Sequence, residues 1–397
     1  MTSGIRERLT GSPVLAAVAG EGGVHVVGGA VRDALLGRMP AELDLVVEGD
    51  AVPVARRAAD RLDGEITVHD RFGTATVHAP PLVFDVASAR TETYPAPGAL
   101  PDVQLGAPLP ADLARRDFSV NAIAMDVGDG RLTAHPGALE DVDSGVLRVL
   151  HDGSFRDDPT RLLRLARYAA RLGFTVEART AELAATAVAG GALDTVSGER
   201  LGAELRLLAR EPQPAALEAL ARFGLGAALM PGFSVDPEYV SRALELAPDD
   251  ARRDLVALAA AARPDRATLD RLAFSAADRA PLVGAASLPY VLEALEDEAG
   301  EPVRPSEVRR VLLRRPIEVA VLAAAAPGTR QAAGRARRWI DGWRHVRPAI
   351  DGHDLVRAGL QGPSVGAGLE AAIGALLDGR APDRESQLAA ALASPEN

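Results

Sequence analysis

The chain has 397 residues, of which 47% are hydrophobic, 25% charged and 4% aromatic, with no cysteine and a net charge of −11. That length predicts two to four domains. The lack of cysteine excludes disulfides and thiolate metal sites, and no apolar run approaches the roughly 20 residues that cross a bilayer.

Lysine is also absent, so a phosphate can be met only by Arg, His or backbone N–H groups. The N-terminal 20 residues lack a basic flank followed by a long apolar core, so a soluble cytoplasmic protein with no membrane association is expected. An acidic average argues mildly against nucleic-acid binding. The charge is uneven, however: the stretch 304–347 is rich in arginine, with Glu307, Glu318 and Asp341 as its local acids.

The first third reads as mixed α/β. A strand at 24–27 ends in Gly28-Gly29, and a helix at 30–36 is stopped by Gly37. A strand at 43–48 and an amphipathic helix at 52–62 follow. Strands at 74–78 and 82–87, joined by Ala79-Pro80-Pro81, predict a hairpin. From about Asp157 the pattern changes. The apolar repeat at 162–172 predicts a helix ended by Gly173, with further helices near 180–189, 198–209, 215–223 and 237–246. Strand signals almost vanish after residue 180. The expected fold class is α+β, a small mixed head followed by a long helical region. Pro-rich breaks at 210–214 and 300–305 are candidate boundaries.

The strongest local signal is Val26-Val-Gly-Gly-Ala-Val-Arg-Asp33, followed by Glu42-Leu-Asp-Leu-Val-Val47. A strand ending in two glycines and opening at once into a helix turns backbone N–H groups toward a phosphate, and only glycine permits so close an approach. Glu42 and Asp44, two apart on a strand, share a face. Two such carboxylates repel unless a cation lies between them, and Mg²⁺ takes oxygen ligands of this kind together with substrate phosphates. A Gly-Gly pair alone is a tight turn, and Glu-x-Asp alone is a solvated face. Their combination at this spacing is far more specific.

The segment Gly28-Gly29-x-Val31-Arg32-Asp33-x-Leu35-Leu36-Gly37, with Leu43-Asp44-Leu45-Val46 after it, resembles the signature of class II tRNA nucleotidyltransferases and bacterial poly(A) polymerases. Further blocks agree in the same order. They are Arg90-x-Glu92-x-Tyr94, Arg115-Arg116-Asp117-Phe118 with Asn121, Asp141-x-x-x-Gly145, Asp157-Asp158-Pro159-x-Arg161 and Ser197-Gly198-Glu199-Arg200. The resemblance is dense over 24–210 and resumes at Gly352-x-Asp354-Leu355 and Gly362-Pro363-x-x-Gly366.

The resemblance implies a nucleotidyltransferase head (1–150), a helical neck that reads the nucleotide base (151–212), a helical body (213–300) and a helical tail that binds tRNA (301–397). It implies that Glu42 and Asp44 hold Mg²⁺ and that Gly28, Gly29, Arg32, Asp33, Arg115, Arg116, Asp117 and Asn121 serve the nucleotide. Asp158 and Arg161, expected three apart on one helix, would pair with the Watson–Crick edge of the base in place of a template. Asp85 is either a third catalytic carboxylate or a strand carboxylate with a local hydrogen bond. Two positions depart from the family pattern, Glu42 where Asp is usual and Asp157 where Glu is usual. The implied reaction adds CCA to the 3′ end of tRNA from CTP and ATP. Addition of A only, CC only or poly(A) are the alternatives within the class. A catalytically inactive RNA-binding protein is the alternative outside it, motivated by Glu42. A fused metal-dependent phosphohydrolase lacks the necessary His-Asp cluster.

In the C-terminal part, Trp339 and Trp343, four apart, are expected on one helical face beside the arginines of 304–347.

Overall fold

The structure is a computed structural model and describes residues 9, 11–40, 42–297 and 302–393. It divides into two compact units, Met1–Glu204 and Leu205–Asn397.

The first unit is built on a seven-stranded sheet. Its strands are β1 (Val24–Val27), β2 (Asp44–Val47), β3 (Glu65–His69), β4 (Thr74–Ala79), β5 (Leu82–Ser88), β8 (Ile123–Asp126) and β9 (Leu132–Ala134), in the order β3-β4-β5-β2-β1-β8-β9. Only β2 and β5 run parallel; every other neighbouring pair is antiparallel. Strand β1, Val24-His25-Val26-Val27, is buried from end to end, as a central strand covered on both faces requires, with its one polar residue, His25, 3.4 Å from Glu48. Helix Ala51–Arg61 is capped by Asp50, whose side chain accepts from Val52 N, and it buries Val54, Ala55, Ala58 and Ala59. A separate two-stranded ribbon pairs β6 (Arg90–Thr93) with β7 (Asp102–Leu105).

The 74–78 and 82–87 strands form the expected hairpin, each one residue longer. Strands β3, β6, β7, β8 and β9 were not anticipated from the sequence. Edge strand β3 is mostly solvent-exposed, and its short alternation, Glu65-Ile66-Thr67-Val68-His69, was a readable signal that was passed over, while β8 follows directly on the Arg-Arg-Asp block as a run of only four residues.

Register decides what the sheet presents. Asp44, the first residue of β2, pairs with Val27, the last of β1. The parallel pairing of Leu45 with Val86 sets Asp44 alongside Asp85, and Asp85 in turn pairs with Thr76. The Gly28 turn and Asp44 therefore lie at adjoining ends of β1 and β2, level with Asp85 midway along β5.

Helix Thr160–Leu172 buries Leu162, Leu163, Leu165, Ala166 and Tyr168 and ends at Gly173, whose φ of 70° suits glycine. Asp158 is not on this helix. It stands just ahead of it in extended backbone at φ −132°, because Pro159 disfavours a helical conformation in the residue before it.

The second unit is helical throughout its described residues. Its central element is helix Ile317–Ala325, in which Glu318, Val319, Ala320, Val321, Leu322, Ala323 and Ala325 are all buried. Small side chains let helices Pro237–Leu246, Arg253–Ala261, Ala276–Ala285 and Arg330–Asp341 pack around it. The Tyr239 hydroxyl donates to Leu322 O at 3.1 Å, and buried Glu318 accepts from Arg252 N at 2.9 Å. One core thus runs from residue 237 to beyond 320.

Trp339 is buried, but Trp343 is only half-buried and belongs to the 3₁₀ turn Trp343–His345. The helix carrying Trp339 stops at Asp341, so the two rings do not share its face.

Candidate active site

Between β4 and β5, the Thr76 hydroxyl donates to Asp85 Oδ1 at 2.6 Å. Asp44 reaches solvent at the rim, yet partial burial, reinforced by the charges of Asp85 and Glu42, pushes its carboxyl above the usual range against the pull of Arg116. Glu42 is exposed just ahead of β2. The three carboxylates are therefore electrostatic neighbours. Among the described residues, no three His, Asp or Glu side chains form a complete protein-only metal cage.

Across from this edge lies the glycine turn. Gly28 has φ 68°, and its N–H donates to Ile123 O at 2.9 Å. A Cβ there would stand 3.0 Å from Arg116 Nη1, so glycine serves both the backbone conformation and the close approach of the guanidinium.

A cleft of about 350 Å³ opens here, lined by Gly28, Gly29, Asp44, Arg90, Glu92, Tyr94, Arg115, Arg116, Asp117, Asn121, Asp158, Arg161, Arg164 and Tyr168. Its arginines are held from behind. Fully buried Asp112 accepts from Arg115 Nε and Nη2 at 2.9 and 2.8 Å and from Arg116 Nη2 at 3.1 Å. Burial alone raises the Asp112 carboxyl, but the two guanidinium groups bring it below its ordinary value. Glu92 ties Arg90, Arg115 and the Tyr94 hydroxyl together at 2.9–3.2 Å. Burial pushes the Tyr94 phenol up to about 12, so it stays neutral. Arg116 Nε is buried without a hydrogen-bond partner, and the side chain lines the cleft.

At the far wall, Arg161 donates to Ser154 Oγ at 2.7 Å and to Arg115 O at 2.8 Å. Asp158 Oδ1 accepts from Thr160 N and Oγ1 and from Arg200 Nη2, at 3.1, 2.7 and 2.8 Å. Asp158 thereby caps the following helix and is anchored by Arg200.

The structure thus gathers Gly28, Gly29, Asp44, Arg115, Arg116, Asp117, Asn121, Asp158 and Arg161 at one cleft, and it leaves four expected residues off the lining. Glu42 and Asp85 stand beside Asp44. Arg32 and Asp33 are buried: Arg32 Nε and Nη2 donate to Asp33 Oδ1 at 2.9 and 2.7 Å, and Arg32 Nη1 donates to Asn121 Oδ1 at 2.5 Å. Sequence reasoning missed Arg164 and Tyr168. Their spacing of three and seven from Arg161 places them on its helical face, and that signal was available.

The poly A polymerase head domain family matches residues 24–148. A solved structure of a CCA-adding enzyme in apo form II aligns with a TM-score of 0.76 and 31% identity, covering 94% of this chain and 91% of that one. The chain belongs to the class II tRNA nucleotidyltransferase family. This nucleotidyltransferase is also 45% identical over 197 residues to an A-adding tRNA nucleotidyltransferase of Halalkalibacterium halodurans and 39% identical over 216 residues to a CC-adding one of Deinococcus radiodurans. Those alignments cover 48% and 52% of the chain, which spans about half the length of these curated relatives, 46% and 55% respectively.

Proposed function

We propose that the protein adds CCA to the 3′ end of tRNA, taking cytidylate from CTP and then adenylate from ATP. The observation that supports this reading best is the cleft itself. One wall carries a carboxylate edge, the floor a glycine turn with paired arginines, and the far wall an acid and an arginine suited to a base edge.

The 3′-oxygen of the RNA bonds to the α-phosphorus, the bond to the bridging oxygen breaks, and pyrophosphate leaves. Arg115 and Arg116, held by Asp112, meet the triphosphate with donors whose orientation is set before it arrives. Asp158 and Arg161 present an acceptor and a fork of donors to the base. Asp85, oriented by Thr76, stands beside Asp44.

The all-oxygen donor set and the mutual repulsion of Asp44, Asp85 and Glu42 suit a hard divalent cation. Glu42 and Asp44 would hold Mg²⁺, which when bound neutralises the charge of the triphosphate. On this reading the head, neck, body and tail span 1–150, 151–212, 213–300 and 301–397, the tail contacts tRNA, and the protein works in the cytoplasm.

A-only addition is the second reading, favoured by the 45% identity to an A-adding relative. The deciding experiment supplies Mg²⁺, one nucleoside triphosphate at a time, and tRNA ending at the discriminator base, at CC or at CCA, followed by sequencing. CCA addition requires C on the first and A on the second; A-only addition requires A on the second alone. No addition to any end defeats both. Glu42→Asp, which restores the family's usual ligand, is expected to keep or raise the rate, and Glu42→Ala to remove most of it.

A further inference from the structure

Asp117 lines the cleft, yet both of its oxygens are fully engaged. Oδ1 accepts from Phe118 N at 2.8 Å and from Asn121 Nδ2 at 3.1 Å. Oδ2 accepts from Arg164 Nε at 2.8 Å and from Arg164 Nη2 at 2.6 Å. A carboxylate offers about four lone-pair sites, so none remains for a ligand. Asn121 is locked in the same way. Its Oδ1 accepts from Arg32 Nη1 at 2.5 Å and its Nδ2 donates to Asp117. Arginine can only donate and a carboxylate can only accept, so the amide cannot flip. One N–H of Nδ2 is left over, and Asn121 lines the cleft.

Arg164 lies one helical turn beyond Arg161, on the same helix, Thr160–Leu172. Its guanidinium stands 5.8 Å from the centre of the Tyr168 ring, which Arg32 also covers at 5.5 Å, and that ring packs edge-on against Phe118 at 5.8 Å. The chain Arg164–Asp117–Asn121–Arg32–Asp33 is thus a continuous network at the cleft, buried except at partly exposed Arg164.

We infer that Arg164 is a positioning residue for the bound nucleotide: by saturating Asp117 it fixes Asn121 as a donor toward the sugar or phosphate, and Asp117 itself does not touch the ligand. This rests on the reading of the cleft as a nucleoside triphosphate site. Because Arg161 and Arg164 share one helix, the same contact sets the spacing between the wall that reads the base and the floor that holds the sugar and phosphates.

The test measures binding of ATP and of CTP, with Mg²⁺, to the full chain by calorimetry, with the melting temperature of every variant recorded. Asn121→Ala and Arg164→Met should each weaken binding by about tenfold or more, as expected for a lost hydrogen bond to a charged or tightly held group. The double variant should bind no more weakly than the worse single one, because both act through one donor. Arg164→Lys keeps the charge on Asp117 and should recover most of the affinity. It also serves if Arg164→Met does not fold, since its affinity must then lie between those of the wild type and Asn121→Ala.

Effects that multiply in the double variant overturn the inference. So does an Arg164→Met variant that melts earlier yet binds ATP and CTP as the wild type does. A wild-type chain that binds neither triphosphate overturns both this inference and the proposed reaction. One that binds both but extends no RNA overturns the reaction alone.

Discussion

Arginine has opposite roles in the two units. In the first, Arg115, Arg116 and Arg161 are held by acids and backbone behind them and line an open cleft, leaving their charge available to a ligand. In the second, among the described residues, five of the eleven arginines of 304–347 pair with acids: Arg304, Arg309, Arg335, Arg337 and Arg344. Arg309, itself buried, makes a two-pronged contact with Glu370 at 2.8 and 2.7 Å. Arg344 does the same with Asp250 at 2.7 and 2.8 Å, and Arg335 pairs with Asp297. A local count of charge overstates a basic surface when neutralising acids come from 38 to 94 residues away. The cleft works differently because its acids sit on the protein side of each guanidinium.

The largest effect that would break this contrast is a truncation near residue 300. It removes helix Ile317–Ala325, on which helices Pro237–Leu246, Arg253–Ala261 and Ala276–Ala285 pack. Burying each Val or Leu side chain contributes about 1.5–3 kcal/mol, and whole domains are stable by only about 5–15 kcal/mol. The remaining part of the second unit should therefore lose cooperative thermal unfolding, followed by circular dichroism. A sharp transition retained in the truncated chain would show that residues 205–300 hold a core of their own.

Next is Asp44→Asn. Nucleotide addition should fall below detection. Because the folded protein raises the Asp44 carboxyl above its usual range, the ionised form opposes folding at neutral pH. Without divalent ions the variant should therefore melt at a higher temperature than the wild type. A lower melting temperature would mean that the carboxylate supports the fold rather than a ligand.

Glu370→Ala probes the second unit. It leaves buried Arg309 above the Trp339 ring, 5.8 Å from its centre, with its two-pronged partner gone. Because Glu370 is half-exposed, the loss in urea unfolding is expected to be about 1–2 kcal/mol, less than for a fully buried pair, with ATP binding at the first unit's cleft unchanged. A neutral result would place Arg309 in the class of solvated surface arginines.

The smallest effect concerns acid. Burial alone would raise the Asp117 carboxyl, but Arg164 and the Asn121 amide bring it down to about 2. A carboxylate depressed in the folded state contributes stability that is present above its unfolded pKa and is lost as pH falls through the folded one. From about 4 down to about 2 the protein should lose about 2 kcal/mol from this group. Asp117→Asn should remove that part of the acid-side slope, measured by urea unfolding at stepped pH. An unchanged slope would mean that Asp117 titrates as it does in the unfolded chain.

The sequence alone determined the short-range chemistry. Gly28 before a helix, Asp44 opening a strand, an Arg-Arg-Asp run and a helix ended by Gly173 all follow from φ preference, strand pattern and helical period, whereas Glu42, expected on the same strand, stands ahead of it. These act over a few residues and survive in any fold that contains them. The α+β division was legible for the same reason, since strand patterns fade after residue 180.

Only tertiary structure decided which groups meet. The parallel pairing of β2 with β5 sets Asp85 beside Asp44, 41 positions apart in the chain. Asp117 is engaged by Arg164 rather than left open to a ligand, and Asp158 stands ahead of its helix, anchored by Arg200. Edge strand β3, exposed along most of its length, takes its register from pairing with β4. Trp339 and Trp343 part because the helix ends between them, and the arginines of the second unit find acids far away in sequence. Side-chain pairing and strand register depend on contacts between distant segments, and no local pattern encodes those partners.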